Sequence, residues 1–144
     1  MTVRLVKGSD YYVISPLIND WWNGRQMSDM LPKLFFDHFK NTSFIVEEEG
    51  EIIGFLVGFL SQSYSNEAYI HFVGIHPEYR GKGIGKQLYN QFFDTIKQNG
   101  RNIVRCVTSS VNKASIAYHT KMGFEIEQGN KENQDKILFI KYLN

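Results

Sequence analysis

Seven residues at positions 80–86, "RGKGIGK", place three glycines at alternate positions among three cations, directly after the strand-like run "YIHFVGIHPEY". Glycines let backbone N–H groups turn toward an anion with no Cβ in the way, and a helix beginning near Gly83 would aim its positive end at the same spot. A pyrophosphate suits that geometry, leaving the side chains of Arg80, Lys82 and Lys86 for further phosphates. A plain strand-to-helix turn is the bland alternative, but it requires neither three glycines nor three cations. Two better-known phosphate loops do not fit. A Walker loop needs glycine where Arg80 stands and Ser or Thr where Gln87 stands, and the dinucleotide fingerprint needs glycine at Lys86.

Among the titratable residues, His71 is the candidate for moving a proton. It sits four residues before Ile75 in one strand pattern, so strict alternation puts it on a face with Tyr69, Val73 and Ile75. A neutral imidazole accepts protons near neutral pH, directly or through a water; the alternative is a structural strand histidine. His76 and Glu78 fall in the connecting loop and read as exposed or turn-stabilising. Cys106, the only cysteine, lies in the strand pattern "NIVRCVTSS" and reads as a buried packing thiol. One cysteine excludes an internal disulfide and a cysteine-based metal cluster, and no metal is expected.

The elements that must position these groups follow from periodicity. "TVRLVK" alternates like a strand, and Ser9 or Asp10 then caps a helix running to about Asp20. "SDMLPKLFFDHFK" reads as a second helix, with Ser28 as cap, Pro32 in its first turn, and an apolar face of Leu31, Leu34, Phe35 and Phe39. "SFIVEE" and "IIGFLVGFLS" form a hairpin around Gly50. "AYIHFVGI" has two apolar faces, as a central strand does, and Gly74 within it predicts a bulge or a close backbone approach. Ile84, Leu88, Phe92, Phe93 and Ile96 recur at helical spacing as far as a stop at Gly100. The strand "RNIVRCVT", the helix "NKASIAYHTKM" ended by Gly123, and the strands "FEIEQ" and "KILFIKYL" complete an α/β pattern of seven strands and four helices.

The 144 residues fit one domain, 1–144, of ordinary soluble composition, 42% hydrophobic and 22% charged. A net charge of +1 offers no global field for nucleic acid or an anionic membrane, and neither is expected as a partner. No run is long enough to span a bilayer and the amino terminus has no signal-like core, so a cytoplasmic location is expected. Aromatic residues at 15% leave room for a contact between two copies in a homodimer.

The segment "HPEYRGKGIGKQLY" resembles the acetyl-CoA-binding segment of the GCN5-related N-acetyltransferases (GNAT family), matching its signature at Arg80, Gly83 and Gly85. A second element of that family, "NKASIAYHTKMGF", matches at Asn112, Ala114, Tyr118, Gly123 and Phe124. The resemblance covers essentially the whole chain and implies a mixed, mostly antiparallel sheet with splayed central strands. It implies acetyl-CoA as co-substrate, held by the backbone of Val73, Gly74 and Ile75, by Gly81, Lys82, Gly83, Ile84, Gly85 and Lys86 around the pyrophosphate, and by Asn112. Tyr118 would reach the sulfur and protonate the leaving thiolate.

Thioester aminolysis also needs a neutral amine and stabilisation of the developing oxyanion, for which strand N–H groups serve. In some members of the family a histidine at the position of His71 is the base; others use a glutamate, for which Glu67 is the nearest candidate. The loop "NDWWNGRQMSDM" would build the pocket for an amine of a small molecule or peptide, with Trp21 and Trp22 as walls, at least one also in the core, and Arg25 receiving an acceptor carboxylate. Asp20 or Asp29 would favour a polycation instead. Direct transfer without a covalent intermediate is the favoured reading, and a non-catalytic acyl-CoA sensor or partner-binding domain is the alternative. Nucleotide or nucleic-acid binding through the basic loop is disfavoured by the near-zero net charge.

Overall fold

The computed structural model of the protein describes residues 1–127 and 135–144. Seven strands form one sheet in the order β1-β2-β3-β4-β5-β7-β6: β1 (Thr2–Leu5), β2 (Phe44–Glu48), β3 (Glu51–Leu60), β4 (Glu67–Ile75), β5 (Ile103–Ser109), β6 (Glu125–Ile126) and β7 (Lys136–Tyr142). Every neighbouring pair is antiparallel except β4 and β5. A parallel pair needs a crossover, and α3 (Ile84–Gln98) supplies it. Gln128, at the end of the predicted strand "FEIEQ", lies outside the described residues.

Two apolar layers sandwich the sheet. On one face, α3 buries Ile84, Leu88, Tyr89, Phe92, Phe93 and Ile96 at helical spacing, against Val46, Ile53, Ile70, Val104, Cys106 and Phe139. α4 (Lys113–Lys121) adds Ile116 to this layer. On the other face, α1 (Asp10–Trp21) buries Ile14, Ile18 and Trp21 against Ile45, Phe55, Val57 and Phe72. α1 starts at Asp10, whose buried carboxylate accepts from Lys7 N and from both terminal nitrogens of Arg4, each within 2.9 Å. Asp10, not Ser9, therefore organises this helix start. The Arg4 guanidinium is also hydrogen-bonded to Glu47 on β2.

The predicted second helix is divided. A 3₁₀ turn, Ser28–Met30, precedes α2 (Leu34–His38), because proline disfavours helical backbone at the residue before it, and Leu31 adopts φ −133° and ψ 71°. Ser28 makes no cap, and the division rotates the apolar face. Leu31 and Phe36 are fully buried, whereas Leu34 is 49% exposed.

Candidate active site

The glycine loop leads into α3 as its spacing predicts. Gly81 and Gly83 have φ of +79° and +83°, conformations that cost other residues about 1–2 kcal/mol, and a Cβ on either would meet nothing within 4 Å. Gly83 is the residue before the helix, and the first bond of α3 runs from Gln87 N to Gly83 O at 3.1 Å. The N–H groups of Ile84, Gly85 and Lys86 therefore precede the intrahelical ladder and stand free for an anion. Ile84 offers only its backbone, its side chain being 1% exposed.

The three cations differ in what they touch. The Arg80 guanidinium donates to Trp21 O at 2.6 Å and to Ile75 O at 3.3 Å, tying the loop to the end of α1 and the end of β4. Two of its five N–H donors are thus engaged by backbone carbonyls, so Arg80 shapes the cradle. The Lys82 ammonium lies 5.2 Å from the centroid of the Tyr79 ring, and Lys86 is exposed.

β4 and β5 pair only where residues 67–69 meet residues 103–105, although β4 runs on to Ile75 and β5 to Ser109. A gap therefore opens between the two central strands at the end nearest the loop. His76 N donates to Ile53 O at 2.9 Å on β3, and a strand's N–H groups alternate between its edges. Those of Val73 and Ile75 thus face the gap. The bulge expected at Gly74 lies instead at His71, where Val57 pairs with Phe72 but Gly58 with Ile70. Gly74 pairs regularly with Phe55; it is glycine because a Cβ would stand 2.5 Å from the Phe55 ring and 3.0 Å from that of Trp22.

That bulge corrects the alternation along β4. Val73 and Ile75 pack toward α3 with Ile70, while His71 turns to the α1 and α2 face, where its ring stacks on Phe35 at 4.1 Å. His71 therefore shares a face with Tyr69 but not with Val73 and Ile75, since the extra residue resets the period of two. Its Nε2 lies 2.6 Å from Met30 O. A carbonyl can only accept, so Nε2 carries the proton and a neutral ring presents Nδ1 as acceptor. Glu67 is instead committed to an ion pair with Arg105 at 2.7 Å, and Arg105 also pairs with Glu127.

On the opposite face, Tyr118 of α4 reaches across to α3. A Cβ at residue 85 would stand 2.7 Å from Tyr118 Oη, so the phenol lies on the bare Cα of Gly85 in the first turn of the helix. Tyr118 is 37% exposed, and partial burial raises its pKa above the ordinary 10.0. Asn112 caps α4, its Oδ1 accepting from Ser115 N at 3.1 Å, which leaves its amide NH₂ as a donor. Tyr118 and His71 thus stand on opposite faces of the sheet, a hydrogen-bond donor on one and a proton acceptor on the other.

The acceptor loop is partly as expected. Trp21 is 4% exposed and stacks on Phe55, so its ring belongs to the core. Trp22 is partly exposed over Gly74, with its ring 5.1 Å from Phe72. Arg25 is exposed. The residue that shapes this loop escaped the sequence reading: Asn19 Oδ1 accepts from Met27 N at 2.8 Å and Ser28 N at 3.0 Å. An asparagine eight and nine residues before its partners gives no local signal. His76 does stabilise its turn, Nδ1 accepting from Glu78 N at 3.1 Å. Cys106 is buried, and desolvation pushes its thiol up to about 12, far from a nucleophile's range.

Among the described residues no group of His, Cys, Asp and Glu could hold a metal ion, and no helix is long and apolar enough to cross a membrane. A groove of about 660 Å³ beside Lys40, Ser61 and Arg101 opens at the other end of β4 and shares no residue with this site.

Residues 11–124 match the model of the acetyltransferase (GNAT) family. An uncharacterized N-acetyltransferase of Methanocaldococcus jannaschii is 34% identical over 86 residues, 57% of this chain and 38% of that protein. The chain thus spans well under half of that relative. An L-methionine sulfoximine/L-methionine sulfone acetyltransferase of Salmonella typhimurium is 25% identical over 138 residues, 88% of this chain and 81% of that protein. Among solved structures, a PaiA N-acetyltransferase from Thermoplasma acidophilum in complex with coenzyme A superposes with a TM-score of 0.76 at 16% identity, covering 98% of both chains.

Proposed function

The chain belongs to the GNAT family of acetyltransferases, and from that membership we propose that it transfers the acetyl group of acetyl-CoA to a primary amine by direct attack. The observation that carries the reading is the meeting of three features at one place: the free first turn of α3, the gap between β4 and β5, and the Tyr118 hydroxyl laid on Gly85. Loop residues Gly81, Lys82, Gly83, Ile84, Gly85 and Lys86 hold the diphosphate, with Arg80 bracing them. The N–H groups of Val73 and Ile75 hold the extended arm and the carbonyl oxygen under attack, and the Asn112 amide donates from the far side of the gap.

The acceptor enters from the α1 and α2 face, past Trp22 and Arg25. The amine nitrogen forms the new C–N bond as the C–S bond breaks. Its surplus proton passes to His71 Nδ1, directly or through a water, and Tyr118 gives its proton to the departing sulfur. The amino-acid acceptor named for the Salmonella relative favours a small acceptor carrying a carboxylate, which the exposed Arg25 suits. We assign the whole reaction to one domain, residues 1–144, acting in the cytoplasm.

Amide chemical shifts with added coenzyme A test the site. Perturbations at Val73, Ile75, Gly81, Gly83, Gly85 and Lys86 are expected. Shifts confined to the groove around Lys40 and Arg101 would place the cofactor elsewhere.

A further inference from the structure

Behind Tyr118 lies a buried polar pair that the chemistry above does not use. Tyr89 is 3% and His119 9% exposed; one comes from α3 and the other from α4. The Tyr89 hydroxyl lies 2.8 Å from His119 Nε2, and His119 Nδ1 lies 2.8 Å from Ser115 O. Because a carbonyl only accepts, Nδ1 carries the ring proton, and Nε2 must accept from the Tyr89 O–H. Burial raises the Tyr89 phenol well above its ordinary 10.0 and lowers the His119 imidazole from its ordinary 6.5, which keeps both partners neutral. The imidazole is also clamped flat on Phe139, with ring centroids 5.0 Å apart.

Position connects this pair to the site. Gly85 and Tyr89 are four residues apart on α3, so the bare Cα and the phenol share one helix face a turn apart. Tyr118 lies along that face. Its oxygen rests on Gly85, and its ring meets the edge of the Tyr89 ring at a centroid distance of 5.8 Å and 63°. Tyr89 is thus the backstop for the Tyr118 ring, and His119, the next residue after Tyr118, holds the backstop still.

We propose that Tyr89 and His119 are a positioning pair for Tyr118, a hydrogen bond across α3 and α4 that fixes the Tyr118 phenol over Gly85 at the mouth of the gap. The inference rests on the reading of Tyr118 as the proton donor. Neither residue touches substrate; both act through the place they give the Tyr118 ring.

The test is a double-mutant cycle on the acetyl-transfer rate. Tyr89→Phe keeps the ring and deletes the bond. His119→Asn is the second variant, retaining a donor for Ser115 O while removing the acceptor of the Tyr89 hydroxyl. Each is expected to lower kcat about three- to tenfold, a loss of roughly 0.7–1.4 kcal/mol in the transition state, with dissociation of coenzyme A unchanged within twofold. Added to Tyr118→Phe, neither should slow the enzyme further, because no hydroxyl remains to be placed. A merely structural pair would cost the double variants the same factor again, and multiplicative losses would overturn the proposal. So would wild-type kcat in Tyr89→Phe and His119→Asn when Tyr118→Phe is slow. Wild-type kcat in Tyr118→Phe overturns the reading of Tyr118 itself, and this inference with it. If Tyr89→Phe fails to fold, His119→Asn carries the same comparison.

Discussion

Tyr118 Oη occupies the space that a side chain at Gly85 would need, 2.7 Å from an ideal Cβ, while the Cζ of the same phenol lies 3.4 Å from it. The glycine is therefore a seat for a side chain from another helix as well as a bare stretch of backbone. Alanine at 85 would raise local helix propensity by up to about 1 kcal/mol, and the obstructing atom is the free end of a side chain. Gly85→Ala is expected to keep or raise the melting temperature while pushing Tyr118 aside, with kcat reduced about tenfold or more. A stable Gly85→Ala enzyme with unchanged kcat would show that the hydroxyl does not work from this seat.

Arg80 links three elements by donating to Trp21 O and Ile75 O. Gln at this position keeps a donor but loses the reach and the charge. The residue is exposed, so solvent screening limits the loss to about 1 kcal/mol. Calorimetry on Arg80→Gln should show coenzyme A binding weakened about fivefold. If the side chain instead contacted a phosphate directly, the loss would grow steeply at low salt, and an affinity gap that widens severalfold on dilution of the buffer would favour that role.

His71 presents Nδ1 as a free acceptor because Met30 O holds the Nε2 proton. His71→Gln is expected to remove the acidic limb of the pH profile of kcat/KM and to lower kcat/KM about 100-fold at neutral pH. Should the acidic limb persist in this variant, another group takes the proton from the amine.

His119 makes stability depend on pH in a definite direction. Burial lowers its pKa from 6.5, so between that value and the folded pKa the unfolded chain binds more protons than the native one. This contribution is fully present above about pH 6.5 and is lost as pH falls through the folded pKa. Urea unfolding between about pH 7.5 and 5 should therefore show a steeper decline in the wild-type protein than in His119→Gln, which has nothing to titrate there. Parallel curves would mean that His119 is not the group responsible.

Local chemistry made much of this molecule legible. The φ of +83° at Gly83 and the stripe from Ile84 to Ile96 express rules that act within a turn of the residue concerned. Contacts set by distant residues were not legible. The bulge at His71 comes from the register between β3 and β4, and no pattern within "AYIHFVGI" says where the alternation resets. Trp21 and Trp22 are neighbours of the same type, yet the Phe55 ring takes one into the core while the other reaches over Gly74. The charge of Arg80 beside glycines is a local signal, whereas its bond to Trp21 O, 59 residues away, is not. Nothing in the sequence singled out Tyr89, because its tie to His119 spans 30 residues.

In the proposed reaction, acetyl-CoA bound at the α3 turn gives up its acetyl group to an amine entering from the α1 and α2 face. Thiol release from acetyl-CoA, followed across a panel of amino acids, peptides, polyamines and aminoglycosides and matched to the mass of the acetylated product, tests it most directly. Release is expected to depend on the acceptor, to be fastest with an amine carrying a carboxylate, and to fall steeply in Tyr118→Phe. Tight binding of acetyl-CoA with no thiol released by any acceptor would contradict it and leave a protein that senses the acyl donor without spending it.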